Sequence, residues 1–155
     1  MSTQTSGNPK DRIGAQKLPM HLFPTTAIAA GTVGLLNGAL KYGQANFRVE
    51  PVRASIYIDA ALRHLTAWAD GEEVDPDDKV PHLCAALANL AILVDAGAHG
   101  TLIDDRPQSD PARVRDFLEK MTAHVARLHT LHAQRNPTHY TRQTKSQPAT
   151  EGGAL

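Results

Sequence analysis

The chain predicts an all-α fold, an antiparallel bundle of about four main helices, and three observations carry that expectation. Four stretches repeat apolar residues at the 3.6-residue period of a helix. Those stretches are rich in alanine, and a proline stands at or just before the start of three of them: Pro24, Pro81 and Pro111. No alternating run is convincing as a strand, because Ser55–Asp59 (SIYID) is short and flows into a helical pattern.

The first helix follows Pro24, with Thr25 or Thr26 as its N-cap, and runs to about Tyr42, where Gly43 supplies the stop. Its apolar face is Ile28, Leu35, Leu36 and Leu40. Gly31, Gly34 and Gly38 each weaken it by about 1 kcal/mol relative to alanine, which argues for close packing against a partner. The second spans about Arg53 to Asp70, with Ile58, Ala61, Leu62, Leu65, Trp68 and Ala69 as its stripe. The third opens with Pro81 near N1 and continues to about Ala96. Leu83, Leu87, Leu90, Ala91 and Val94 form its core side, and Cys84, Ala88 and Ala91 a strip of small residues. The fourth runs from about Pro111 to Gln134 on Val114, Phe117, Leu118, Met121, Val125 and Leu128. Residues 8–107 are expected to form the core, and 108–136 a C-terminal helix packing on that core or on a partner subunit. Residues 1–7 and 137–155 are polar and expected to be disordered.

Composition narrows the function. Formal net charge is zero, so no general electrostatic footprint for nucleic acid is present. The single cysteine, Cys84, has no partner for an internal disulfide and fits a reducing compartment. The N-terminus lacks an apolar signal core, and the greasy run Leu83–Val94 is too short to span a bilayer. The expectation is a soluble cytoplasmic protein with no membrane partner. Sequence motifs exclude more: there is no P-loop, no histidine followed directly by aspartate, no GxSxG and no HExxH.

What remains lies between Lys41 and His82. Asp70, Glu72, Glu73, Asp75, Asp77 and Asp78 crowd one loop without a base, and carboxylates are natural ligands for Mg²⁺ or Mn²⁺. The same acids before a helix N-terminus also suit the macrodipole with no metal at all. His82 opens the third helix, Asn89 shares its face, and His64 lies one turn before Trp68; a lone histidine is more often structural than a ligand. Lys41, Arg48, Arg53 and Arg63 offer cations for phosphate, with Lys10 and Arg12 further candidates. Tyr42, Phe47 and Trp68 flank these cations as a base would require, although Trp68 equally suits a core position. Arg63 has an ordinary helical partner in Asp59.

Six segments in order carry a resemblance: NPKDRIG at 8–14, KYGQANF at 41–47, VRAS at 52–55, ALRHLTAWADGEEVDPD at 61–77, HL at 82–83 and LIDDRP at 102–107. Together they resemble the phage dATP/dGTP diphosphohydrolases, the MazZ-type enzymes, placed with the MazG-related all-α NTP pyrophosphatases. The resemblance implies cleavage of purine dNTPs (dGTP, dATP) between the α and β phosphates, with Mg²⁺ or Mn²⁺ as cofactor and a homodimer or homotetramer as the active form. It also implies a supply of dGMP to a 2-aminoadenine DNA pathway, in the cytoplasm of an infected host. The wider superfamily holds its metals with ExxE on one helix and ExxD on the next, whereas here only Glu72 and Asp75 read as ExxD.

The resulting site expectation has Glu72, Asp75, Arg63 and Lys41 as catalytic residues and Glu72, Asp75 and His82 as metal ligands. Lys10, Tyr42, Asn46, Phe47, Arg53, His64, Trp68 and Asn89 would bind substrate. Asp59, Asp95, Asp104 and Asp105 stay open as further members. Two rivals also stay open: a nucleotide-binding relative without hydrolysis, and a non-catalytic helical interaction protein.

Overall fold

The computed structural model of the chain describes residues 8–144. Among them are α1 (Pro9–Gly14), α2 (Thr25–Tyr42), α3 (Ala54–Asp70), α4 (His82–His99) and α5 (Pro111–Leu131), with short 3₁₀ turns at Met20–Leu22 and Asn46–Arg48. The class is all-α, as the periodicity required. The expectations for residues 1–7 and for 145–155 of the tail lie outside the described residues. Contacts divide the chain after Pro107 into two compact units.

In the first unit α4 is the central helix, packed against both α3 and α2. The contacts bury Cys84 and Ala88 of the small-residue strip that the sequence marked on α4, with Ala91 of that strip exposed, and not the large apolar stripes. Large apolar residues of the expected stripes are surface-exposed: Ile28, Leu36 and Leu40 on α2, Leu62, Leu65 and Trp68 on α3, Leu83, Leu90 and Val94 on α4. The buried apolar residues are Val52, Ala54, Ala61, Val80, Cys84, Ala86, Ala88 and Ala96. Small residues therefore face inwards, because only they let helix backbones come this close. A Cβ added to Gly34 would lie 2.3 Å from the Cys84 carbonyl oxygen and 2.8 Å from the Ala88 Cβ.

A short element absent from the sequence reading ties the far ends together. β1 (Val52–Arg53) and β2 (Leu102–Ile103) pair in parallel, with Val52 opposite Leu102. Two residues are too few to show a period, and their partners sit on opposite sides of the α3–α4 hairpin. The Thr101 hydroxyl donates to the Phe47 carbonyl at 2.7 Å, and Asp105 accepts from both the backbone amide (2.8 Å) and hydroxyl (2.7 Å) of Ser55 at the start of α3. The DDRP segment thus caps a helix. α1 was also unforeseen; Asn8 caps it by accepting from the Lys10 amide at 3.0 Å.

α4 runs on past Ala96 to His99. Its 18 residues have a mean hydropathy of 1.3, so by length and composition alone it would reach across a membrane, unlike the shorter run Leu83–Val94. In the second unit, α5 starts at the Asp110 cap and ends at Leu131, short of Gln134. Residues 137–144 contain a turn at Thr141–Thr144.

Gly34→Ala should destabilise the chain by about 1–3 kcal/mol, the usual cost of overpacking. Gly38→Ala, whose new methyl meets nothing within 4 Å, should leave stability unchanged or raise it. Thermal unfolding followed by circular dichroism separates the two; equal effects would remove Gly34 as the packing constraint.

Candidate active site

The acidic segment is an ordered turn. Gly71 ends α3 in the left-handed region (φ 103°), which a glycine enters without a steric cost. Asp75 then organises the loop: its Oδ1 accepts from the amides of Asp77 (2.9 Å) and Asp78 (3.1 Å), while its own amide donates to the Val80 carbonyl at 3.0 Å. The His82 amide donates to the Glu73 carbonyl at 3.1 Å and closes the loop onto the start of α4. The two amides donated by Asp78 and Asp77 hold the Asp75 carboxyl below its ordinary range, so it is an anion at neutral pH.

That loop delivers Asp75 to two histidines from the flanking helices. His64 Nδ1 lies 2.9 Å from His82 Nδ1 and 4.0 Å from Asp75 Oδ2. One ligand atom from each of the three lies within 4.8 Å of the others. His82 is only 3 % exposed, and burial, with the neighbouring His82 second, pushes His64 below its ordinary range. A neutral His64 retains a lone pair for a cation. Two imidazole nitrogens and one carboxylate oxygen are a donor set that fits a divalent transition cation, in place of the all-carboxylate set expected for Mg²⁺. Glu72 lies outside this trio: its Oε2 is 3.3 Å from the far nitrogen of His82, Nε2, without hydrogen-bond alignment.

Beside the trio opens a cavity of about 250 Å³ between α2, α3, α4 and the returning loop 43–48. Lys41, Tyr42, Asn46, Phe47, His64 and Asn89, six of the expected site residues, line it together. Lys41 forms an ion pair with Asp78, which also accepts from the Asn37 amide at 3.0 Å. Asp78 raises the Lys41 ammonium above its ordinary range, while Lys41 first and Asn37 second lower the Asp78 carboxyl. Phe47 is fixed through Thr101, and Tyr57 and Ile92 also line the wall. The Asn89 side-chain amide donates to the Ala85 carbonyl at 2.9 Å, leaving Oδ1 free of that bond.

The other expected residues fall elsewhere. Arg63 and Glu72 line a separate open groove with Asp59 and Asp70 on the far side of α3. Arg53 pairs with Asp105 at 3.9 Å, and Trp68 donates to Glu73 at 3.2 Å. Lys10 sits in α1, away from the cavity lining. Arg48 and Asp95 form a two-bond ion pair (2.8 and 2.9 Å), and Arg106 holds Asp104 at about 2 in pKa. Asn37 and Tyr57 were missed by the sequence reading, and Asp78, counted there only within the acidic cluster, pairs with Lys41. Asn37 stands four residues before Lys41 and Tyr57 seven before His64, so helical spacing was the available signal.

A family model described as dATP/dGTP diphosphohydrolase, N-terminal, matches residues 7–106. Neither a curated protein nor a solved structure matches the chain.

Asp78→Asn should free the Lys41 ammonium and tighten pyrophosphate binding severalfold, most strongly at low salt. Calorimetric titration with pyrophosphate reads this directly. Unchanged or weaker binding would place Asp78 itself among the groups that hold the ligand.

Proposed function

The chain belongs to the dATP/dGTP diphosphohydrolase family through that family's N-terminal domain, and from this premise we propose that it hydrolyses purine dNTPs to dNMP and pyrophosphate with a divalent cation. The observation that carries the reading is the cavity itself. It gathers the aromatic side chains of Tyr42, Phe47 and Tyr57 and the cation of Lys41 around one space, with the His64–Asp75–His82 trio beside it. Such a set of groups suits a base together with a charged phosphate chain.

His64, Asp75 and His82 would hold a divalent cation, which would supply charge neutralisation at the phosphates and lower the pKa of an attacking water. Water oxygen bonds to the α-phosphorus, the bond from that phosphorus to the bridging α–β oxygen breaks, and pyrophosphate leaves. A proton passes to solvent. Lys41 exchanges Asp78 for the leaving pyrophosphate. Phe47, Tyr42 and Tyr57 pack against the base, Asn46 lies beside them, and Asn89 Oδ1 accepts from a base N–H. Glu72 supports His82 from its outer nitrogen. Arg63, which lines the separate groove, addresses phosphate across subunits.

The active form is a homo-oligomer. A unit whose interior is largely alanine buries too little apolar surface by itself, while leucines on α2, α3 and α4 face out. A second copy covers those faces.

With dGTP or dATP, product analysis should show monophosphate and pyrophosphate in equal amounts. Orthophosphate with a diphosphate, or intact triphosphate, would refute the bond assignment. Asp75→Asn and His82→Asn should lower turnover more than the roughly 100-fold that an outer-shell partner commands, and Asp77→Asn should change it little. Near-normal turnover in the first two would remove the trio from catalysis. Light scattering should find a dimer or tetramer at assay concentration; a fully active monomer would overturn the assembly.

A further inference from the structure

We infer that the trio is built for a first-row cation that accepts imidazole, of the Co²⁺, Zn²⁺ or Mn²⁺ kind, in preference to Mg²⁺, and that Glu72 positions His82 for it. The inference rests on the trio being the cation site proposed above. Two of its three donors are nitrogen, and imidazole suits transition cations, whereas Mg²⁺ takes oxygen ligands and sheds water reluctantly. The facing nitrogens lie 2.9 Å apart, close enough for one cation to reach both.

The surrounding hydrogen bonds point the same way. Asp75 spends Oδ1 on two loop amides and turns Oδ2 towards His64. With both Nδ1 atoms facing each other, one must carry a proton unless a cation takes both lone pairs. A cation therefore moves each proton to Nε2. The Nε2 of His82 is the one described buried side-chain nitrogen or oxygen without a hydrogen bond, and Glu72 Oε2 stands 3.3 Å from it. A small carboxylate movement would give the carboxylate–histidine–metal arrangement that fixes a ligand's tautomer. Glu72 is thus a positioning residue.

The test uses the full chain stripped of metal, without nucleotide, titrated with Co²⁺ by calorimetry and visible absorption. Co²⁺ should bind with ligand-field bands, and Mg²⁺ at about a hundredfold excess should fail to displace it. His64→Gln should abolish the bands, and Glu72→Gln should weaken binding about 10–100-fold, both with parental circular dichroism. Glu72→Asp should recover part of the loss. Displacement by equimolar Mg²⁺, or parental Co²⁺ binding in His64→Gln, would overturn the inference. A chain that binds Co²⁺ this way yet cleaves no dNTP would instead overturn the proposed function and leave this site standing.

Discussion

The close approach of α2 to α4 at Gly34 is the constraint on which the first unit depends. With the Cys84 carbonyl and the Ala88 methyl against its backbone, α2 lies too near α4 for any side chain between them. A layer this thin brings Lys41 over the acidic turn, where it meets Asp78. It also leaves room farther along, because glycine and alanine cannot fill the space between three helices and a loop. The cavity of about 250 Å³ is the consequence.

Charge within that cavity is balanced before any ligand arrives. Lys41 is held by Asp78, His64 is kept neutral by burial, and Asp75 is kept ionised by loop amides. Each group is set by a different neighbour, so the ammonium, the imidazole and the carboxylate stay distinct within one small volume. For a triphosphate ligand, this means that affinity depends on a trade of partners by Lys41 together with the cation, not on a cavity of fixed positive charge.

The same small-residue interior pushes the large apolar side chains outward. In an isolated unit those leucines would be solvated, and stability would come mostly from helix backbone contacts and the β1–β2 tie. Assembly would then supply the apolar burial that the interior lacks, which couples stability to subunit concentration. The amphipathic α5 adds a further exposed stripe, from Val114 to Leu128, in the second unit.

Sequence by itself determined the four long helices and the ends of α2 and α3, because period, proline and glycine act locally: Gly43 and Gly71 stop α2 and α3 within a residue of where the pattern breaks. It also pointed to Lys41–His82 as the candidate stretch for chemistry, since most of the cationic, acidic, imidazole and aromatic groups gather there against alanine-rich helices. Tertiary structure decided which part of each expected stripe is inside. On α3 Ala61 is buried as the period expected, but Leu62, Leu65 and Trp68 face out, and close helix packing brings in Ala54 and His64's side instead. That rotation is why His64 joins Asp75 and His82 while Arg63, its neighbour in sequence, lines another groove. The β1–β2 pair, the Asp105 cap and the Lys41–Asp78 pair were equally out of reach, because each joins residues separated by a helix or more and leaves no local period to read.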